Sequence, residues 1–219
     1  IHRGWFLQYV EELKKRGIKV PFETISREDR LKEEIVQGLA EIGCFRIWVG
    51  AESGSQRILD SMKRKTNAEG VNEVTHRLQR HGIEAGMFIM LGYDGEEMED
   101  LQASVDLLKK SNPDVFLTTV AYPIKGTPFY AKVEDRILSE KAWDARSDRD
   151  LTVAGRYSKR FYRYATGWMV SEVALNRANL TGGVPLKRRA KLWLSAKLGR
   201  VGMALTARET ERAGQPVKV

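Results

Sequence analysis

The stretch Trp48-Val49-Gly50-Ala51-Glu52-Ser53-Gly54-Ser55-Gln56 decides the fold class. An apolar run ends there in Glu-Ser-Gly-Ser, and helix-forming residues follow from Gln56. This order predicts a buried strand, a polar turn and the start of a helix. In α/β proteins, ligands bind beyond the carboxyl ends of parallel strands. The turn therefore predicts a site for a polar ligand.

The same strand and helix alternation extends in both directions from this stretch. The pattern predicts strands at 19–25, 45–49, 85–91 and 115–122, and helices at 5–16, 29–42, 56–63, 68–81 and 97–110. Short connections between strands and helices imply parallel strands with right-handed crossovers. Because the pattern opens on a helix, we expect the later half of a barrel or an open sheet.

Composition divides the chain into two regions. We expect a first domain over 1–134 and a basic, helical extension over 135–219, with helices at 156–177 and 186–208. From residue 136 onward there are 18 Lys and Arg against 7 Asp and Glu, within a net charge of +8 for the chain. Such a basic region fits a membrane surface, a nucleic acid, another subunit or simply a solvated face.

Other features of the composition exclude some classes of protein. No run of about 18 apolar residues is present, so a transmembrane span is not expected. The single cysteine, Cys44, excludes an internal disulfide and a cysteine-rich metal site, and it fits a reducing, cytoplasmic compartment. The chain starts at Ile1 without a Met, and we expect it to be part of something longer.

Four motifs together resemble those of radical S-adenosylmethionine (SAM) enzymes. They begin at Phe22-Glu23-Thr24-Ile25-Ser26-Arg27, Ile42-Gly43-Cys44-Phe45-Arg46, Phe88-Ile89-Met90-Leu91-Gly92 and Ala121-Tyr122-Pro123. The nearest branch carries a cobalamin-binding domain and includes Mg-protoporphyrin ester cyclase-like proteins and hopanoid methylases. The resemblance covers about 5–135 and implies the later half of a partial (βα)6 barrel.

The resemblance also implies cofactors. Such enzymes bind SAM and a [4Fe–4S] cluster, generate a 5′-deoxyadenosyl radical, and in this branch bind cobalamin. Their cluster loop, Cys-x-x-x-Cys-x-x-Cys, is missing here, and three thiolates are needed to hold the cluster. We expect the chain to be inactive alone, and the cluster and cobalamin regions to lie upstream.

Site residues follow from the motifs. The resemblance implies that Glu52, Ser53 and Ser55 face the ribose and methionyl group of SAM, while Gly54 permits close approach. The alternative is that Ser55 caps the helix starting at Gln56 and that Glu52 is solvated. Glu23 and Arg27 are expected to hold the amino-acid end, and a surface ion pair is the alternative. Gly92 belongs to the strand whose backbone approaches the adenine. The substrate side is expected at three residues of the last motif: Tyr122, Pro123 and Thr127.

The reaction is expected to be methyl transfer or cyclisation of a small molecule, such as a lipid or a tetrapyrrole. The segment 186–208 is then expected to contact a membrane surface. One alternative is a tRNA methylthiotransferase-like enzyme, whose basic region binds RNA. Another is a half-barrel that binds partners without catalysis.

Overall fold

The structure is a computed structural model that describes residues 2–139, 145 and 147–210. Its strands are β1 (Phe22–Ser26), β2 (Cys44–Glu52), β3 (Glu84–Leu91), β4 (Val115–Val120), β5 (Ile137–Ser139) and β6 (Leu151–Val153). Its helices are α1 (Arg3–Lys15), α2 (Glu33–Glu41), α3 (Gln56–Ser61), α4 (Ala68–Arg80), α5 (Met98–Ser111), α6 (Pro128–Val133), α7 (Lys159–Thr181) and α8 (Leu186–Thr206).

Four strands form one sheet in the order β1-β2-β3-β4. β2 pairs in parallel with β1 on one side and with β3 on the other. Parallel neighbours need a crossover, and α2, then α3 and α4, then α5 occupy the connections in the chain. The predicted parallel α/β fold is therefore confirmed.

The two faces of β2 differ in burial. Ile47, Val49 and Ala51 are fully buried, whereas the alternate residues from Arg46 to Glu52 are partly exposed. Successive side chains of a strand point to opposite faces, so one face packs in the core and the other carries polar groups. Glu52 is the last residue of β2 on this polar face.

Contacts within the chain divide it into two compact units. The first unit is Ile1–Ile89 with Met98–Thr119, and the second is Met90–Glu97 with Val120–Val219. The domain boundary predicted at 134/135 stays a prediction. The chain end around Gly214-Gln215-Pro216, which the composition predicts to be frayed, lies outside the described residues.

The second unit contains a helical hairpin and a strand hairpin. α7 and α8 pack closely because two glycines of α8 face aromatic residues of α7: an added Cβ at Gly199 would lie 2.8 Å from Trp168 Cβ, and one at Gly202 would overlap the Tyr164 ring. β5 and β6 pair antiparallel. Their buried side chains form a small core with Val133.

Several elements differ from the sequence predictions, and two of these differences have a clear local reason. The helix predicted at 156–177 begins at Lys159 because the Ser158 side chain accepts a hydrogen bond from the Phe161 N–H and caps it there. The β5–β6 hairpin was not predicted, since each strand has only three residues and shows no readable period.

Within the described part of the chain, no helix combines the length and apolarity needed to cross a bilayer.

Candidate functional site

The carboxyl end of β2 is a strained turn centred on Glu52. The Ser53 N–H donates to the Ala51 carbonyl at 2.7 Å, and Glu52 has a φ of 60°. This is a three-residue turn whose central residue has a positive φ, a conformation that costs a residue with a Cβ about 1–3 kcal/mol. Strain of this kind is typical of functional sites.

The Glu52 carboxylate lies in a partly buried ion pair. Its Oε1 is 3.1 Å from Arg64 Nη2, and its side chain is 17% exposed. Burial raises the pKa of Glu52, and the positive charge of Arg64 opposes that increase. Burial thus disfavours ionisation of this carboxylate, and Arg64 is the charge that stabilises its ionised form.

The Ser53-Gly54-Ser55 turn packs against α5. The Gly54 N–H donates to Ser104 Oγ (2.9 Å), and Ser55 Oγ donates to an Asp100 carboxylate oxygen (2.6 Å). A Cβ on Gly54 would overlap the Ala103 carbonyl oxygen. Ser53 and Ser55 are buried, so their hydroxyls bind the protein itself. Ser55 occupies the N-cap position of α3, and its side chain makes no capping bond.

Glu23 and Arg27 bind different partners in this structure. Glu23 Oε2 accepts from Arg46 Nη1 (3.2 Å) and from Trp48 Nε1 (3.1 Å). Arg27 pairs with Asp29 through two hydrogen bonds of 3.0 and 2.9 Å. Both the Glu23–Arg46 and the Arg27–Asp29 ion pairs are exposed to solvent, so each contributes little to the free energy of folding. The prediction that Glu23 and Arg27 act together on one ligand stays a prediction.

The polar face also contains an aromatic pair, Trp48 and Phe88, whose rings stack at 4.9 Å. Gly86 leaves room for it, because a Cβ there would lie 2.6 Å from Trp48 Cε3. The absence of a side chain at Gly86 thus has a packing reason in this structure.

Gly92 lies in the second unit at a tight turn. It has a φ of 73°, its N–H donates to Glu96 Oε2 (2.5 Å), and a Cβ would lie 2.8 Å from the Tyr162 ring. Only glycine fits these requirements. Of the predicted substrate-side residues, Tyr122 is partly exposed and Pro123 is buried. Thr127 caps α6 by accepting from the Tyr130 N–H (3.2 Å).

Sequence reasoning missed three residues that organise the turn after β2: Arg64, Asp100 and Ser104. Asp100 and Ser104 lie one turn apart on the buried side of α5, beside Leu101 and Leu108. Polar residues at this spacing on an otherwise apolar helix face were the available signal. No sequence pattern marked Arg64, because only the tertiary structure brings its side chain to Glu52.

Cys44 does not fit a cluster ligand. It is buried at the start of β2, and its thiol approaches the Arg46 carbonyl at 3.4 Å. Burial raises its pKa to about 11, whereas an iron ligand must be a thiolate. Within residues 2–139, 145 and 147–210, no group of three or more His, Cys, Asp or Glu side chains is arranged to hold a metal ion.

Comparison with known proteins finds a family match for the first part of the chain. Residues 4–108 match the model of the Radical SAM superfamily. The predicted resemblance to radical SAM enzymes is confirmed. The matched residues include β2, the Glu52 turn and most of α5.

Curated relatives are more distant and much longer. An uncharacterized methyltransferase of Pyrococcus horikoshii is 25% identical over 132 residues, which are 60% of this chain and 29% of that protein. A tRNA-2-methylthio-N(6)-dimethylallyladenosine synthase of Clostridium tetani is 31% identical over 145 residues, or 63% of this chain and 31% of that protein. The chain thus spans about three tenths of the length of these relatives.

Solved structures show the same fold. TsrM from Kitasatospora setae, a radical SAM methyltransferase with cobalamin and a [4Fe–4S] cluster bound, has a TM-score of 0.55, with 16% identity over 63% of this chain and 30% of that one. The cobalamin-dependent enzyme OxsB, with aqua-cobalamin and SAM bound, has a TM-score of 0.53, with 14% identity over 91% of this chain and 36% of that one. These likenesses confirm the predicted barrel fragment.

The raised pKa of Cys44 predicts a protected thiol. We expect the folded chain at pH 8 to react with iodoacetamide at least about 100-fold more slowly than the chain in guanidinium, because burial disfavours the thiolate and limits access. Mass spectrometry over time measures both rates. Equal rates in the two conditions would contradict the buried position of Cys44.

Proposed function

We propose that this chain is the SAM-binding and substrate-facing part of a radical SAM enzyme. The observation that carries the proposal is the strained, partly buried Glu52 at the end of β2, within the matched region. A carboxylate held there at a cost in strain and desolvation is suited to accept hydrogen bonds from ribose hydroxyls or an ammonium group.

The residues around Glu52 would have different roles in binding. Ser53, Gly54 and Ser55 fix the turn against α5, so we assign their role to main-chain contacts and to the position of Glu52. SAM, when bound, supplies a methyl group or a 5′-deoxyadenosyl radical. The protein's own contribution is to orient the bound molecule and to exclude water.

The remaining cofactors are proposed for regions outside these 219 residues. Cys44 does not fit the cluster, so the three thiolates would come from elsewhere in a longer protein. Cobalamin is proposed in the same way, from the fold likeness to TsrM and OxsB. An in-frame Cys-x-x-x-Cys-x-x-Cys in the coding sequence before Ile1 would support this assignment, and its absence would favour the half-barrel that binds without catalysis.

The Glu52 assignment predicts SAM affinity. We expect Glu52→Gln to weaken binding of SAM to the chain by about tenfold or more, because a charge-assisted hydrogen bond contributes about 1.5–3 kcal/mol. Isothermal titration calorimetry measures the affinity. Glu73→Gln, an exposed carboxyl on α4, is the matched control and should leave the affinity unchanged.

The pH dependence follows from the raised pKa of Glu52. Protonation removes the acceptor, so wild-type affinity should fall on acidification already above the ordinary carboxyl range, and the Glu52→Gln affinity should not. A raised folded-state pKa also means that ionised Glu52 destabilises the fold at neutral pH. The variant should therefore unfold no more easily at pH 7. Equal SAM affinities of the wild type and Glu52→Gln would contradict the proposal, as would the absence of any SAM binding.

A tRNA methylthiotransferase-like enzyme is the second candidate. Several curated relatives, including those of Clostridium tetani and Alkaliphilus oremlandii, are tRNA-2-methylthio-N(6)-dimethylallyladenosine synthases. The basic region would then bind RNA. The cobalamin-dependent candidate remains first because its structures share the fold over up to nine tenths of this chain.

Salt dependence distinguishes RNA binding. If the basic region neutralises about four phosphates, the logarithm of the tRNA affinity should fall with the logarithm of salt concentration with a slope of about −3. Filter binding with total tRNA measures this slope. A slope near zero, or no tRNA binding at low salt, would remove the second candidate.

Membrane contact is proposed for 186–208, at the periphery of a cytoplasmic protein. α8 carries six basic and no acidic residues, and four apolar side chains on one stripe are more than half exposed: Leu194, Leu198, Val201 and Leu205. We expect sedimentation with phosphatidylserine-containing vesicles at low salt, weakened by Leu198→Ser and unchanged by Val170→Ser on α7. Failure to sediment would remove this contact, and with it the support for a lipid or tetrapyrrole substrate.

A further inference from the structure

The second unit contains a cavity of about 510 Å³. It lies beside the end of β4, the strand β6 and the first two turns of α7. Its lining residues are Val120, Ala121, Tyr122, Arg149, Asp150, Leu151, Thr152, Arg156, Lys159, Tyr162, Arg163 and Thr166. A volume of this size accommodates a small organic molecule.

Arg156 fixes one wall of this cavity. It is 9% exposed, and its Nη1 donates to the carbonyls of Gly92 (2.9 Å) and Ala121 (2.5 Å). Its Nη2 donates to Thr152 Oγ1 (3.0 Å), and its guanidinium lies 5.8 Å from the Tyr162 ring centre. Arg156 thus joins three segments that are distant in sequence. These hydrogen bonds fix the position of this wall of the cavity.

Further cations surround the opening. Lys159 and Arg163 lie one turn apart on α7, on the same face as Tyr162 and Thr166, and Arg149 precedes β6. All three cationic side chains are exposed, and Arg149 and Arg163 have no hydrogen bond or ion pair with any other described residue. The start of the 23-residue helix α7 adds the positive end of its dipole.

Among the described residues that line the cavity, Asp150 is the one that carries a negative charge. Its Oδ2 accepts hydrogen bonds from the Ser147 N–H (2.8 Å) and Ser147 Oγ (3.1 Å), so this oxygen serves a capping box. Four cationic residues against one carboxylate favour an anionic ligand. Val120, Ala121, Leu151 and the Tyr162 ring give the cavity an apolar floor as well.

We propose that this cavity binds an organic anion, a carboxylate or phosphate ester that carries an apolar body. The charged group meets Arg149 and Arg163, and the apolar body lies on the floor. Tyr122, a predicted substrate-side residue, lines the same cavity, so the anion is the substrate class of the enzyme. That last assignment rests on the proposed function, whereas anion binding itself does not.

The test is calorimetric titration of the chain with phenyl phosphate, benzoate and inorganic phosphate at low salt. We expect one-to-one binding of phenyl phosphate or benzoate, and weaker binding of inorganic phosphate, which lacks the apolar body. The stronger of the two aromatic probes identifies the charged group. The double variant Arg149→Gln/Arg163→Gln should weaken that binding by about tenfold. The control Arg188→Gln/Lys191→Gln removes the same charge from exposed positions of α8 and should change it by less than about twofold.

Two results would overturn the proposal: no saturable binding of any probe, or equal weakening in both double variants. Glu52→Gln should leave anion binding unchanged. If SAM fails to bind while the anion binds, the enzyme assignment fails and the anion site remains. If SAM binds and no probe does, only the anion site fails.

Discussion

The close contact between the turn 53–55 and α5 is the interaction on which the first unit depends. Gly54 approaches the main chain of α5 so closely that no Cβ fits, and hydrogen bonds to Ser104 and Asp100 hold the turn on both sides of it. Asp100 also pairs with Arg57 at the start of α3. One buried carboxylate and one hydroxyl thereby fix the end of β2, α3 and α5 together. Buried polar groups stabilise a fold in this way only when they are fully paired.

This contact determines which residues remain available in the proposed SAM site. The hydroxyls that resemble ligand contacts are used inside the protein, and what the turn presents instead is Glu52, in a left-handed conformation beside Arg64. Stability and binding are thus assigned to neighbouring residues of one short segment. The strain and desolvation at Glu52 are tolerated because the turn behind it is so well fixed.

In the second unit, the corresponding organiser is Arg156. Its guanidinium donates to carbonyls of the segments around Gly92 and Ala121 and to a side chain of β6. A planar group with five donors suits this role better than an ammonium would, because it can bond in several directions at once. The glycine at position 92 is needed in turn, since the left-handed turn and the Tyr162 ring exclude any side chain there.

The sequence by itself determined the order of strands and helices in 5–122, the parallel sheet and the place of the polar turn, because hydrophobic period and turn residues are local signals. Asn67, directly before the helical period of α4, is one such signal, and its side chain accepts from the Gly70 N–H as an N-cap. Only the tertiary structure decided which partners the polar residues take. Arg64 reaches Glu52, Ser55 turns to Asp100 instead of capping α3, and Arg156 joins segments more than 60 residues apart. Pairing of this kind depends on where distant segments meet in space, and no local period in one sequence encodes that.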